Sequence, residues 1–130
     1  MASYAWDLEG GGFPYQSVYE TLSAVGRAVP MPPSAGASRL DGLRHLWTTA
    51  GLCDIHTRVI TVERPYTDFD DLWNTVLGGP SAGQALAAMS EGEVSQFRDV
   101  LQASLQPARS GLITLSGRAH AIKGKVPSLR

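Results

Sequence analysis

The chain has 130 residues, of which 43% are hydrophobic and 18% charged, and its 11 basic against 12 acidic side chains leave a formal charge of -1. This length suffices for one domain with one sizeable core. The near-neutral charge, without a basic stripe, argues against a nucleic-acid partner. No apolar run approaches the roughly 18 residues of a membrane span. The single cysteine, Cys53, cannot form an internal disulfide, and the first residues do not resemble a signal peptide. With the lack of a membrane-length apolar run, these features lead us to expect a soluble cytoplasmic protein.

The spacing of apolar residues predicts the secondary structure along the chain. Alternation with period two indicates strands, and apolar residues three and four positions apart indicate helices. The predicted order is strand 2–8, helix 14–26, helix 39–50, strand 55–62, a helical segment over 66–106, and strand 112–122. A strand that begins so near Met1 has no preceding element to pair with, so we expect that something upstream is missing. An ordinary N-terminal edge strand is the alternative.

Polar residues at helix ends predict where the helices begin. Ser38 followed by Asp41 resembles a capping box for the second helix, and Ser90 followed by Glu93 forms a second one farther along. Thr67 is expected to cap the first helix of the long helical segment. These signals predict three helix starts without reference to any other protein.

Prolines, glycines and charge give weaker signals. The proline-rich segment 30–36 predicts a loop, and Pro65 is expected to stop the second strand because proline has no N–H group. A short turn of helix is predicted near 82–89. The basic tail 123–130 is expected to lie beyond the last strand and to fray.

Four phrases of the sequence carry a resemblance to a known family. They are Tyr4-Ala5-Trp6-Asp7 before the glycines, Leu43 to Trp47 leading into Ala50 to Ile55, Asp68 to Trp73, and Leu115 to Gly124. In this order they resemble the C-terminal half of a class I S-adenosylmethionine-dependent methyltransferase, over nearly the whole chain. The resemblance implies a Rossmann-like α+β fragment with a three-stranded mixed sheet, about four packed helices, and the strand order first, third, second.

In that family the three strands 2–8, 55–62 and 112–122 would be the fifth, sixth and seventh strands of a larger sheet. The last of them would lie antiparallel between the other two. Helix 39–50 would be the crossover before the sixth strand. The segment 66–106 would be an insertion of the kind that often covers the acceptor substrate in relatives.

The chain departs from the family at the cofactor. The family binds S-adenosylmethionine through its first four strands and a glycine-rich turn, and this chain has no residues for them. Gly10-Gly11-Gly12 lacks the spacing of that turn and is predicted to be a loop. We therefore expect this chain alone to bind no cofactor, and S-adenosylmethionine to serve only the complete family enzyme.

Residues that could carry chemistry are few. The histidines have no metal-ligand spacing, and no Ser-His-Asp order is present, so no catalytic residue and no metal ligand is predicted. The aspartates that begin the segment 66–106 suit a helix N-terminus. The layout of the family places one further group near the acceptor, as candidate substrate-binding residues: Trp6, Asp7, Phe13, Tyr15, Tyr19, Phe69 and Trp73. Packing in the core is the alternative for its aromatic members.

The resemblance predicts a substrate-side fragment of a methyltransferase that does not catalyse transfer alone. Two alternatives stay open, namely one half of a split methyltransferase completed by a separate chain, and a small-molecule binding or interaction module. Because the strand 2–8 carries no lysine, proline or charge before Asp7, its edge is expected to pair with another strand. The predicted partner is a second copy of the chain or a complementary methyltransferase half.

Overall fold

Three strands and five α-helices follow one another along residues 1–128, the part of the chain described by this computed structural model. They are β1 (Ala2–Trp6), α1 (Gln16–Ala24), α2 (Leu40–Thr49), β2 (Cys53–Tyr66), α3 (Phe69–Leu77), α4 (Pro80–Ala87), α5 (Glu91–Ser104) and β3 (Ile113–Lys125). A 3₁₀ turn over Ala35–Ser38 precedes α2. The last two residues of the predicted tail lie outside the described part. The fold is α+β, as predicted, with one helix more than expected.

The three strands form one sheet in the order β1-β3-β2, which confirms the predicted order. β1 pairs with β3 from Ala2 opposite Lys123 to Trp6 opposite Ala119. The sheet is antiparallel, so its prediction as mixed was wrong. Because β3 lies between the other two strands and runs against each of them, both hydrogen-bonded pairs are antiparallel even though β1 and β2 point the same way.

Two strands are longer than the sequence predicted. β2 extends past Pro65 to Tyr66, because β2 is an edge strand and an edge strand tolerates the missing N–H of proline. β3 extends to Lys125, so the first residues of the predicted tail belong to the sheet. The Lys125 ammonium lies 2.9 Å from the Asp54 carboxylate at the start of β2. That ion pair joins the end of one strand to the beginning of the other.

The helix starts follow the predicted signals in part. The capping box of Ser90 and Glu93 is confirmed at α5. At α3 the predicted cap was wrong, since the side chain of Asp68 accepts the hydrogen bond from the Asp71 N–H and Thr67 lies one position too early. The predicted weak turn near 82–89 is the regular helix α4, which begins with Pro80 in its first turn. Proline suits that position because its missing N–H would have no partner there.

The capping box predicted for α2 was also wrong. The N-cap residue is Arg39, whose side chain makes no capping hydrogen bond. The Ser38 hydroxyl instead donates to the Ala35 carbonyl, 2.7 Å away, and accepts from the Leu8 N–H at 3.3 Å. Ser38 therefore closes the 3₁₀ turn and joins it to the segment that follows β1.

The chain divides into two compact units. The first, called here the sheet unit, comprises Met1–Pro14, Met31–Val62 and the residues from Ser116 onward. The second, called the helical unit, comprises Tyr15–Pro30 and Glu63–Leu115. The sheet unit holds β1, α2 and most of β2 and β3, whereas the helical unit holds the other four helices.

The apolar core lies in the helical unit. Its buried members are Val18, Leu22, Tyr66, Phe69, Leu72, Trp73, Val76, Ala82, Leu86, Phe97, Leu101 and Ile113. In the sheet unit α2 has no buried residue, and the side chains of Trp47 and of Ile55 in β2 both lie close to Gly124 of β3. No helix within residues 1–128 is both long and apolar enough to cross a membrane.

Candidate functional site

A buried carboxylate, Asp7, follows β1 directly and organises a polar network in the sheet unit. The residue is 7% exposed. The Asp7 Oδ2 atom accepts hydrogen bonds from Arg118 Nε at 2.9 Å and Arg118 Nη2 at 2.7 Å. Arg118 lies in β3, where the Asp7 N–H also donates to its carbonyl at 2.9 Å. Backbone pairing and a charged side-chain pair thus join the same two residues.

His120 of β3 connects the network to a third element, the 3₁₀ turn that contains Ser38. It is 7% exposed, and its Nδ1 lies 2.7 Å from the Ser38 carbonyl oxygen. Since a carbonyl only accepts hydrogen bonds, Nδ1 carries the proton in this contact. The other ring nitrogen, Nε2, lies 3.6 Å from Asp7 Oδ2. The network therefore connects β1, β3 and the turn before α2.

The electrostatics of the network keep Asp7 ionised. Burial acts to raise the pKa of the Asp7 carboxyl, but the hydrogen bonds from Arg118 and the Gly10 N–H, with the charges of His120 and Arg118, hold that pKa below its ordinary value. A carboxylate held in this way is a poor proton donor or acceptor. The arrangement suits the positioning of the chain around it better than acid–base chemistry.

The glycine segment after β1 is shaped by Asp7. The Gly10 N–H donates to Asp7 Oδ1 at 3.0 Å, and the Gly12 N–H donates to the Asp7 carbonyl at 2.8 Å. A Cβ atom at Gly10 would meet Asp7 Oδ2 at 2.2 Å, and one at Gly12 would meet the Arg118 carbonyl at 2.7 Å. Side chains at these two positions would collide with the network. Because both N–H groups are used within the segment, it does not fit the amide cradle of a cofactor turn.

An open depression lies beside the network in the same unit. It has a volume of about 370 Å³ and is lined by Glu9, Gly36, Arg39, Asp41, Gly42 and His45. Arg39 lies between two carboxylates, 3.7 Å from Glu9 and 3.3 Å from Asp41. The charged side chains of the lining are thus two carboxylates and the one guanidinium that lies between them.

The candidate substrate-binding residues divide between the two units. Trp6, Asp7 and Phe13 belong to the sheet unit, and Tyr15, Tyr19, Phe69 and Trp73 to the helical unit. The rings of Phe69 and Trp73 are stacked with centroids 6.1 Å apart, and Trp73 also meets Phe97 at 5.8 Å. Phe69 and Trp73 are buried within the apolar core, while Tyr15 and Tyr19 pack against it.

A pair of tyrosines lies in the same core. The hydroxyls of Tyr15 and Tyr66 are 3.3 Å apart. Burial, together with the hydrogen bond to Tyr15, raises the pKa of Tyr66 to about 12. Tyr66 is therefore neutral at physiological pH and serves as a packed core residue.

We found no match between this chain and any protein-family model, nor with any curated protein sequence. Within residues 1–128, no group of three or more histidine, cysteine, aspartate or glutamate side chains is placed to hold a metal ion. The sequence pattern includes Asp7 in the site but not its partners Arg118 and His120, nor Ser38, which contacts His120. All three lie far from Asp7 along the chain, so no local pattern indicates them, and Ser38 was interpreted as a helix cap.

Proposed function

We propose that this chain forms the substrate-side C-terminal part of an S-adenosylmethionine-dependent methyltransferase and does not transfer methyl groups alone. The strand order β1-β3-β2 carries the proposal. The resemblance implies a last strand placed antiparallel between two earlier strands, so that β1 and β2, although successive strands, are not neighbours. A helix before β2, here α2, is the crossover that the same layout requires.

The helices between β2 and β3 support the same assignment. α3, α4 and α5 occupy the position along the chain where relatives insert the elements that cover the acceptor. Arg98 of α5 pairs with Asp70 at 2.5 Å and lies 5.6 Å from the centroids of the Phe69 and Trp73 rings. These contacts order the insertion independently of any ligand. The aromatic residues are then part of the framework of the insertion.

The cofactor would come from a complementary part of the enzyme. The N–H groups of Gly10 and Gly12 bond to Asp7, so recognition of S-adenosylmethionine is assigned to a partner rather than to this chain. The outer edge of β1 is the proposed docking edge for that partner, with Asp7 and its network stiffening the end of the strand. The chain's single cysteine fits a cytoplasmic location, which belongs to the same proposal.

Calorimetric titration with S-adenosylmethionine tests the first part of the proposal. The purified chain should give no saturable heat at millimolar cofactor. A dissociation constant in the micromolar range would refute the proposal that a partner, and not this chain, binds the cofactor. The second part is tested with the chain isolated in its native complex. That complex should bind S-adenosylmethionine and transfer a labelled methyl group.

A matched pair of variants shows whether the complex depends on β1. Tyr4→Pro should release the cofactor-binding partner, and Val62→Lys, an exposed change on β2, should retain it. A native complex that never binds S-adenosylmethionine would refute the methyltransferase assignment. A complex that binds it equally well after Tyr4→Pro would refute β1 as the docking edge.

A further inference from the structure

The hydrogen-bonding parity of β1 shows which backbone groups point away from the sheet. Met1 and Gly124 exchange both hydrogen bonds, at 2.9 and 3.0 Å, and the Asp7 N–H donates to the Arg118 carbonyl. In an antiparallel ladder such pairs alternate with pairs that exchange none. Odd-numbered residues of β1 therefore bond to β3. The N–H and C=O groups of Ala2, Tyr4 and Trp6 point outward, at the open edge.

The side chains on this edge do not block pairing. Ala2 and Tyr4 are exposed, Tyr4 to 71%, and β1 contains no charged residue and no proline. Natural edge strands are normally protected by such residues or by a covering element. Because Trp47 of α2 packs over Gly124, the even-numbered side chains of β1 lie on the face opposite α2. A strand added to this edge would not have to displace that helix.

We infer that β1 pairs antiparallel with β1 of a second copy of this chain, with Tyr4 opposite Tyr4 of the second copy. A two-fold axis requires that each residue pair with one on the same face, so the register must centre on a single residue. A register centred on Ser3 would leave Trp6 without a partner in β1 of the second copy, and one centred on Ala5 would leave Ala2 without one. Centring on Tyr4 also places Ala2 opposite Trp6, and all outward groups of β1 form hydrogen bonds.

The side chains suit this register. Directly opposite side chains in an antiparallel pair are close enough to pack, and aromatic pairs of this kind add to stability. The two Tyr4 rings would meet at the axis. On each side of them the large Trp6 ring lies opposite the small Ala2 side chain, so that no two bulky residues except the tyrosines compete for one position. The strand also has no charge that would repel its own copy.

Self-pairing has a regulatory consequence, and this step rests on the proposed function. The edge used by the second copy is the same edge proposed to dock the cofactor-binding part. The two occupants exclude each other, so the homodimer would be a reserve form and the partner would have to displace one copy. A dimer without methyltransferase activity would support self-pairing and refute only this consequence.

Charged residues introduced at position 4 test the register. Sedimentation at micromolar concentration should give about twice the monomer mass for the natural chain. Tyr4→Lys and Tyr4→Glu should each raise the dimer dissociation constant by roughly tenfold or more, because each places like charges at the axis. A mixture of the two variants should dimerise again, because lysine then faces glutamate. Tyr4 is exposed, so both variants should fold.

Amide hydrogen exchange supplies a second readout. Ser3 and Ala5 amides should be protected at every protein concentration, and Tyr4 and Trp6 amides should become protected only as the dimer forms. Val62→Lys, on the opposite edge strand, is the control and should leave the mass unchanged. A monomer at all concentrations would refute the proposal. A dimer that is indifferent to both Tyr4 changes, or a mixture that does not recover, would refute the register.

Discussion

The two units of this protein bury different kinds of residue. The helical unit encloses an apolar core in which Leu22, Leu72, Phe97 and Leu101 have no exposed surface. The buried side chains of the sheet unit include three polar ones, Asp7, Ser38 and His120, held by specific hydrogen bonds. The stabilisation from burying apolar side chains is roughly proportional to the buried area and does not depend on bond directions. A buried polar network, in contrast, stabilises the fold only when each of its groups has a hydrogen-bond partner.

The same contrast appears in the exposed residues. In β2 every residue from Arg58 to Pro65 is exposed, including Val59, Ile60 and Val62. Half of the surface of Leu46, in α2, is also exposed. Valine, isoleucine and leucine are among the residue types most often buried in proteins. Their exposure shows that an apolar pattern in this unit indicates the local structure but not which side chains are buried.

The largest expected effect comes from truncating the apolar core. Phe97→Ala should lower the free energy of unfolding by about 3–5 kcal/mol, because it removes a fully buried ring and leaves a cavity. Urea denaturation measures the change. The matched variant in the sheet unit is Leu46→Ala, which should cost below about 1 kcal/mol. Equal losses in the two variants would contradict the contrast between the units.

The next effect tests the polar network. Asp7→Asn keeps the shape of the side chain but removes the charge that Arg118 and His120 face, and should cost about 1–3 kcal/mol. Glu9→Gln, two positions away and exposed, should change stability by less than about 0.5 kcal/mol. If both variants were neutral, the network would have no part in holding the sheet unit.

The dependence of stability on pH in the acid range gives a second test of the network. The pKa of Asp7 is lower in the folded chain than in the unfolded one, so the unfolded chain takes up the proton first as pH falls. The contribution of Asp7 is therefore complete above about pH 4 and is lost as pH falls through the folded pKa. Asp7→Asn should flatten this part of the curve. The exposed Glu93, whose pKa is lowered chiefly by its hydrogen bond from Arg27, stays in both proteins and cancels in the comparison.

The smallest expected effect concerns helix ends. Ser90→Ala removes the serine of the capping box of α5 and should cost about 1 kcal/mol. Ser95→Ala, at an exposed position inside the same helix, should be neutral or slightly stabilising because alanine has the higher helix propensity. Thermal unfolding of the two variants measures the difference. An equal response would mean that the cap adds nothing to the helical unit.

The sequence predicted those features that depend on neighbours in the chain. The capping box of Ser90 and Glu93 spans one helical turn, and α5 has it. The order of the strands was correctly predicted through a family resemblance, not through periodicity. Pro65 was misjudged because its effect depends on whether β2 is an edge strand, which is a property of the whole sheet.

The candidate site was less predictable. Asp7 and Arg118 are 111 positions apart, and His120 and Ser38 are 82 apart. A single sequence gives no local pattern for such contacts. Ser38 shows the same difficulty, because a serine before a helix has two uses for its hydroxyl and only the packed structure decides between them. Its hydroxyl bonds to Ala35 and Leu8 rather than to α2.

The position of Trp73 in the core has a practical consequence. The three tryptophans are shared between the units, with Trp6 and Trp47 in the sheet unit and Trp73 in the helical unit. Replacing Trp6 and Trp47 with phenylalanine would leave one intrinsic fluorophore, which is 8% exposed and stacked on Phe69. Its emission would be blue-shifted while the core is intact and would move to longer wavelength on opening. That single chromophore would follow the melting of the helical unit by itself.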